Sequence, residues 1–246
     1  MKLAIQPRDI QIMKFVFACR VVSYDQIIRR HFPKTKEIVA RRRLRKLSKA
    51  GFLKVSVLEL FGKIIRVVQP LPQVWPLICE KWPLAVDKPH FKSESLEHDV
   101  RMTEVFMKLE RLKCFRSFFT ENLLQSSIAL AEDPRFKSLA KIQADGALTV
   151  ADTAGNLKIY GVEFELSKKS PEGYRQTLID YYLAKAIDGV LYVSPQREIQ
   201  SLLTRIEDEI GKDRASLVWF SSEESVRKAS DKIIFNNRKG QTLEFK

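Results

Sequence analysis

Three carboxylate side chains lie in two neighbouring predicted β-strands in the second half of the chain. Asp145 belongs to the stretch KIQADGALTVAD, and Glu163 and Glu165 are two residues apart in NLKIYGVEFELS. Since alternate residues of a strand point to the same face, both glutamates are expected on one side of the sheet. Carboxylates in apolar strands are costly unless they are paired or bind a cation. Their oxygens suit Mg²⁺, which can activate water and stabilise the charge of a phosphodiester transition state.

A strongly basic segment lies in the first half of the chain. Residues 34–51, KTKEIVARRRLRKLSKAG, have the periodicity of an amphipathic helix. The apolar residues expected on its buried face are Ile38, Ala40, Leu44 and Leu47. The basic residues expected on its other faces are Lys36, Arg41, Arg42, Arg45, Lys46 and Lys49. Dense positive charge away from a buried face indicates a helix that lies along a polyanion.

The net charge is confined to the same part of the chain. The 246 residues carry a formal net charge of +13, and residues 1–70 hold 17 Lys and Arg against 4 Asp and Glu. The rest of the chain is therefore electrically balanced. With 45% hydrophobic residues, the chain is long enough for one large or two ordinary folded domains. This asymmetry indicates a nucleic-acid-binding module joined to a part with another task.

Several classes of protein have no support in the sequence. Cys19, Cys79 and Cys114 are far apart and lack CxxC spacing, so neither a disulfide framework nor a zinc cluster is indicated. We expect no signal peptide, because the first twenty residues lack a continuous apolar run, and the sequence contains no run of about 18 apolar residues. We therefore expect a cytoplasmic protein with no membrane partner. The glycine-rich motifs of nucleotide-binding proteins are also missing from the sequence.

The elements around the basic segment follow a recognisable order. A first helix is expected over residues 7–19, and Ser23 is expected to cap a second helix. The basic helix comes third, with Thr35 as its N-cap and Gly51 after its last turn. Residues 52–71 then form two β-rich runs around a turn at Phe61-Gly62. Three helices and a hairpin are typical of a winged helix-turn-helix domain, here placed at residues 1–71.

In this pattern the chain resembles DNA-binding winged-helix modules. The phrase VVSYDQIIRRHF...ARRRLRKLSKAGFL is also similar to the start of the replication-relaxation family of mobile-element proteins. The resemblance implies a plasmid or mobile-element context, with a function in replication, mobilisation or transcriptional control. It implies double-stranded DNA as the partner, and it is compatible with a homodimer or with a recombinase, relaxase or replication protein of the same element.

The docking of a helix-turn-helix assigns roles to the basic residues. Residues at the start of the third helix reach base edges, and later cations contact phosphates. The residues expected at base edges are Lys34, Thr35, Lys36 and Glu37, those expected at phosphates are Arg41, Arg42, Arg45 and Lys46, and those expected at the flanking backbone are Lys63 and Arg66. The alternative interpretation of the arginine run is a solvated helix face.

A proline- and tryptophan-rich junction is expected at residues 72–95, and a second domain at residues 96–246. The second domain begins with an amphipathic helix, LEHDVRMTEVFMKLERLK, and a strand at residues 117–124. A loop then leads to the two acidic strands, a helix from Pro171, the central strand GVLYVSP and further units. The predicted fold class is therefore mixed α/β (α+β), with an αβββαβ order in this domain.

Here the chain resembles the restriction-endonuclease-like, PD-(D/E)xK superfamily. Ala144-Asp145 stands in the position of its Pro-Asp, and Glu163-Phe164-Glu165 in the position of its acid-x-lysine. The resemblance implies that Asp145 and Glu163 hold Mg²⁺, for which Mn²⁺ can substitute, and that Glu104 adds an acid from the first helix.

The departure from that superfamily is Glu165, where lysine is usual. Either Glu165 itself or a lysine just past the strand, Lys168 or Lys169, would handle the attacking water. Two other interpretations stay open: the acids are a solvated strand pair, or the nuclease fold has lost catalysis. The sequence thus predicts a DNA-binding protein, with an Mg²⁺-dependent endonuclease acting through Asp145, Glu163 and Glu165 as the alternative.

Overall fold

The computed structural model describes residues 3–80, 93, 95–184, 186–212 and 214–246. The chain combines helices and strands in both halves, so the predicted mixed α and β class is confirmed. It divides into two compact units, Met1–Glu104 with Ser126–Ala129, and Val105–Gln125 with Leu130–Lys246. Among the helices described, none has the length and apolar character needed to cross a membrane.

The first unit begins with three helices and a small sheet. The helices are α1 (Pro7–Cys19), α2 (Tyr24–His31) and α3 (Glu37–Lys49), and the strands are β1 (Val22–Ser23), β2 (Leu53–Leu60) and β3 (Lys63–Pro70). The predicted first helix is confirmed at both ends. The predicted Ser23 cap is also confirmed, since its Oγ accepts from the Gln26 amide at 3.1 Å. The Gln26 side chain in turn accepts from the Ser23 amide at 2.9 Å, which completes a capping box.

The basic helix α3 differs from its prediction at its start and on one face. Lys36, not Thr35, occupies the N-cap position, and it makes no side-chain capping bond. Ala40, Leu44 and Leu47 are fully buried, whereas Ile38 is 57% exposed. Ile38 was wrongly placed because it lies six residues before Leu44, about 240° around a helix of 3.6 residues per turn.

The end of α3 follows the prediction. Gly51 has a φ of +81° and donates its amide to the Ser48 carbonyl at 3.0 Å, and Phe52 donates to the Leu47 carbonyl at 3.1 Å. These two bonds form a Schellman motif, in which glycine takes the left-handed conformation at no steric cost.

The predicted hairpin is formed by β2 and β3, and β1 pairs with β3 on the other side. Phe61 and Gly62 both have positive φ, as the tight turn between strands of right-handed twist requires. One face of the hairpin packs on a helix named α5 (Leu96–Leu109). The residues of this apolar contact are Val21, Leu58, Leu60, Ile65, Val67, Leu96 and Val100.

The hairpin is followed by a 3₁₀ turn (Pro72–Val74) and by α4 (Trp75–Cys79). The Trp75 ring packs against Phe17 of α1 with centroids 5.6 Å apart. Trp82 and most of the remaining junction predicted at residues 72–95 lie outside the described residues, because 81–92 and 94 are not described.

The second unit is built on a seven-stranded sheet of order β10-β9-β8-β7-β6-β5-β4. Its strands are β4 (Phe115–Thr120), β5 (Gly146–Ala151), β6 (Leu157–Phe164), β7 (Gly189–Ser194), β8 (Val218–Ser222), β9 (Ile233–Asn236) and β10 (Thr242–Phe245). The β6–β7 and β7–β8 pairs are parallel and the other pairs are antiparallel. The strand predicted to be central, β7, is the middle strand.

The helices of this unit are α6 (Glu121–Ser126), α7 (Ile128–Glu132), α8 (Pro134–Ile142), α9 (Pro171–Leu183), α10 (Arg197–Gly211) and α11 (Glu223–Lys228). The strand predicted at residues 117–124 was wrong in its second half, because β4 ends at Thr120 and residues 121–124 belong to α6. The loop predicted after that strand contains α7 and the start of α8. Asp133 caps α8 by accepting from the Arg135 amide at 2.9 Å, and Pro134 occupies its first turn. Because α8 extends to Ile142, the following strand begins later than predicted, directly after Asp145.

Candidate functional site

The three predicted carboxylates lie around the end of β6. Asp145 directly precedes β5, Glu163 is the penultimate residue of β6, and Glu165 is the first residue after it. Because Gly146 pairs with Val162 across the β5–β6 ladder, Asp145 lies beside Glu163. The Asp145 Oδ2 accepts from the Phe164 amide at 2.7 Å. Two adjacent strands thus bring the acids together.

Glycine at position 146 allows a close contact beside Asp145. A Cβ at this position would overlap the ring of Phe118 on β4. The ring therefore packs directly over the backbone that follows the aspartate, and it also stacks on Phe106 at 4.9 Å. This aromatic contact helps to fix the backbone at the acid cluster.

The glutamates are buried. Glu163 and Glu165 are each 6% exposed. Burial raises the pKa of Glu163 well above its usual range, and the charge of Asp145 raises it further, although a hydrogen bond from Tyr181 acts in the opposite direction. Glu163 therefore keeps its proton to a higher pH than a solvated glutamate.

The lysine at this site is Lys169. Its Nζ lies 2.5 Å from Glu165 Oε1. Burial lowers the pKa of Lys169, but the hydrogen bond to Glu165 and the charges of the three acids outweigh burial and raise it. Lys168, predicted as a catalytic residue with Lys169 as the alternative, is exposed as Lys169 is, but it makes no ion pair with a carboxylate among the described residues.

Three tyrosines surround the acid cluster, and the sequence analysis did not place them at this site. Tyr181 of α9 donates a hydrogen bond to Glu163, and the Tyr174 hydroxyl accepts from the Lys169 amide at 3.3 Å. Tyr192 of β7 is the register partner of Glu163, and it is 1% exposed. Its hydroxyl has no hydrogen-bond partner among the residues that the structure describes. Burial followed by the charges of Glu163 and Glu165 raises the pKa of Tyr192 well above its usual range.

The donor chemistry of the cluster suits Mg²⁺. Mg²⁺ is commonly held by one or two carboxylates, with water and phosphate oxygens as its other ligands. Asp145 and Glu163 supply such a pair, and the orphaned Tyr192 hydroxyl adds a polar atom next to them. Within the described part of the chain, no group of three or more His, Cys, Asp or Glu side chains is placed to hold a metal ion.

Glu104, predicted to add a catalytic acid, has partners within the first unit. Its carboxylate accepts from the Arg29 guanidinium at 2.6 and 3.1 Å and from the Gln26 amide group at 3.3 Å. The hydrogen bond to Glu104 and its charge raise the pKa of Arg29, although burial opposes them. These bonds join α5 to α2, and the catalytic role of Glu104 stays a prediction.

The second candidate site is the basic face of α3. Lys34 and Lys36, in the turn before the helix, are exposed, and Thr35 is half-buried. Arg41 pairs with Glu37 at 2.5 Å. The cations that are exposed along the helix are Arg42, Arg45, Lys46 and Lys49. None of these four has a carboxylate within ion-pair distance in the described part of the chain.

Tyr24 connects the basic helix and the hairpin. Burial raises the pKa of Tyr24, and the charges of Arg66, Arg41 and Arg45 act against it. The Arg41 guanidinium carbon lies 5.8 Å from the centre of the Tyr24 ring. Cations from α3 and from β3 thus surround one ring, and Lys63 at the start of β3 is also exposed. We use the name basic surface for the cations of α3 and β3, which are Arg41, Arg42, Arg45, Lys46, Lys49, Lys63 and Arg66.

Comparison of the chain with models of protein families, with characterised proteins and with solved structures found no match.

Proposed function

We propose that this chain is a double-stranded DNA-binding protein of a plasmid or mobile element, which docks through its first unit as a winged helix. The function would be in replication, mobilisation or transcriptional control. The observation that carries the proposal is the basic surface, where Arg42, Arg45 and Lys46 are exposed and have no carboxylate partner in the described part of the chain. Unneutralised cations in this density repel one another, and a polyanion relieves that repulsion.

The arrangement of the first unit supports DNA, rather than any polyanion, as the ligand of the basic surface. The third helix of a helix-turn-helix enters the major groove while the first helices support it. Here α3 buries only Ala40, Leu44 and Leu47 and leaves its other side to solvent. The hairpin carries the exposed cations Lys63 and Arg66, and as a wing it would contact the flanking phosphates through them.

Salt dependence of binding tests the proposal. Fluorescence anisotropy of a labelled duplex with the full chain would give the affinity over a series of salt concentrations. If about six phosphates are neutralised, the logarithm of the association constant should fall against the logarithm of salt with a slope of roughly −5. An affinity that does not change with salt, or no binding in dilute buffer, would overturn the proposal.

A charge-matched control separates the basic surface from net charge. A triple variant with Arg42→Gln, Arg45→Gln and Lys46→Gln should reduce the slope by roughly 3. A second triple variant removes the same charge from exposed cations of the second unit, at Lys137, Arg205 and Lys212. The slope should change less in the second variant than in the first.

The acid cluster favours a second candidate function, an Mg²⁺-dependent DNA endonuclease of the PD-(D/E)xK type. The specific observation is the approach of Asp145 to Glu163 with Lys169 paired to Glu165. Asp145 and Glu163 would hold the cation, which when bound stabilises negative charge on the phosphate. Glu165 would accept the proton of the attacking water, and Lys169 would orient Glu165. The order of β5, β6, α9 and β7 along the chain agrees with the order expected for a domain of this type.

A further inference from the structure

Two aliphatic side chains lie among the exposed cations of α3. Ile38 is 57% exposed and Val39 is 49% exposed. Ile38 lines up with Arg42, Arg45 and Lys49 at intervals of four, three and four residues, which places them in one stripe of the helix. That stripe is on the side opposite Ala40, Leu44 and Leu47, so the fold of the first unit does not bury it.

The surroundings of this aliphatic pair define what can cover it. Lys34 and Lys36 are exposed just before the pair, and Arg42 is one turn after it. An apolar protein surface would leave these cations without counter-charges. A DNA groove offers phosphates to the cations and base edges to the residues between them, so charge complementarity selects the groove as the occupant.

The position of the pair within α3 selects the part of the groove. Ile38 and Val39 are the second and third residues of the helix. The first residues of a recognition helix are those that reach base edges in the major groove. Among the groups that identify bases in that groove, the apolar one is the C5 methyl group of thymine.

We propose that Ile38 and Val39 contact thymine methyl groups, so that the chain prefers duplexes with thymine opposite the start of α3. This inference rests on the proposed DNA-binding function and adds a specificity to it. It assigns the reading of a base to Ile38, which the helical periodicity had placed on the buried face, and to Val39. The neighbouring cations then fix the position of the helix on the backbone.

Deoxyuridine provides a direct test, because it lacks only the methyl group. Duplexes enriched by the full chain from a random pool would be made in two forms, with thymine and with uracil in its place. Anisotropy should give tighter binding to the thymine form, by roughly three- to fivefold for each buried methyl group. Equal affinity for the two forms would overturn the inference and leave the proposed DNA binding intact.

Two variants assign the preference to the aliphatic pair. The Ile38→Ala, Val39→Ala double variant should fold, because both side chains are substantially exposed and alanine is the best helix former, and circular dichroism would verify this. It should bind the thymine and uracil forms equally. Ile64→Ala removes a side chain that is 79% exposed on the hairpin, and this variant should keep the preference. A preference for thymine that survives in the double variant would contradict the inference. If the unaltered chain bound no duplex at all, the proposed function would fail as well.

Discussion

Arg43 forms a bidentate ion pair with Asp9, in which its guanidinium donates to both carboxylate oxygens. Asp9 is fully buried, and the same guanidinium donates to the Ala4 carbonyl at 2.8 Å. The hydrogen bond and charge of Asp9 raise the pKa of Arg43, although burial opposes them. The preceding residue, Arg42, is exposed. Two adjacent arginines of one run therefore have different roles, one in the fold of the first unit and one on its basic surface.

Replacement of these two arginines should separate stability from binding. Arg43→Ala leaves the buried Asp9 carboxylate unpaired and should lower the free energy of unfolding by about 3 kcal/mol. Arg42→Ala should change it by less than about 0.5 kcal/mol but weaken duplex binding. Denaturant titration and anisotropy measure the two effects. Equal losses of stability in both variants would contradict the assignment.

His31 should make the stability of the chain depend on pH. Burial, followed by the charges of Arg30 and Arg8, lowers the pKa of His31 from 6.5 to about 4. Its Nε2 is buried and has no hydrogen-bond partner in the described part of the chain, and its ring packs on Phe15 with centroids 5.5 Å apart. The unfolded chain therefore binds a proton that the folded chain does not bind between these two pKa values.

Because the unfolded chain binds more protons in this range, the free energy of unfolding rises with pH. The contribution of neutral His31 is fully present above about pH 6.5 and is lost as the pH falls towards 4, by up to about 3 kcal/mol. A His31→Leu variant should flatten the pH dependence of the free energy of unfolding in this window. His98→Leu is the control, since it removes a histidine whose side chain is 22% exposed and lies 3.4 Å from Asp99. This variant should keep the pH dependence that His31 contributes. An unchanged pH dependence in His31→Leu would refute the assignment.

Glu207 should be a strong stabiliser of the second unit. It is fully buried, and it accepts hydrogen bonds from the Leu217 and Val218 amides at 2.8 and 3.0 Å and from the Tyr182 and Ser216 hydroxyls at 2.9 Å. Glu207→Ala leaves these donors without their acceptor and should cost about 3 kcal/mol.

Asp208 is a matched control for Glu207. It is the next residue on α10, it is 56% exposed, and it bonds Arg238 at 2.5 Å. Asp208→Ala should cost less than about 1 kcal/mol, because the Asp208 carboxylate is exposed and Arg238, which is only 5% exposed, keeps Glu207 as a carboxylate partner at 3.4 Å. Thermal or denaturant unfolding of both variants would measure the difference. If the two costs were the same, the buried network would not be the source of stability.

Lys169 and Lys168 test the endonuclease candidate as a matched pair. Supercoiled plasmid would be incubated with the full chain and Mg²⁺ or Mn²⁺. If the acid cluster cleaves DNA, Asp145→Ala should abolish nicking and Lys169→Met should slow it by roughly 10²-fold. Lys168→Met should keep most of the activity, because Lys168 makes no ion pair with a carboxylate in the described part of the chain, whereas Lys169 pairs with Glu165. Nicking that persists in Asp145→Ala would point to a contaminating nuclease or another site, and no nicking with either metal would favour the binding protein.

Local signals account for most of what the sequence predicted correctly. Helix starts are marked by Pro7 at the first position of α1 and by the capping side chain of Ser23 before α2. The end of α3 and the hairpin turn are marked by Gly51 and Gly62, which both have positive φ. The approach of Asp145 to Glu163 also followed from sequence, because it needs only that two consecutive strands pair.

Long-range packing accounts for what the sequence did not predict. Tyr181 and Tyr192 reach Glu163 from α9 and from β7, and periodicity alone marks such tyrosines only as buried. The choice of Lys169 over Lys168 depends on the course of the chain after β6. Ile38 was misplaced because its neighbours Ala40 and Leu44 set a buried face that does not include it.

The Phe118 ring over Gly146 couples two positions that are far apart in the chain. A larger residue at 146 would need the volume that the ring now fills, so a side chain could be accepted there only together with a smaller residue at 118. In divergent versions of this chain, these two positions should therefore change as a pair, and a lone replacement of the glycine should displace the neighbouring aspartate.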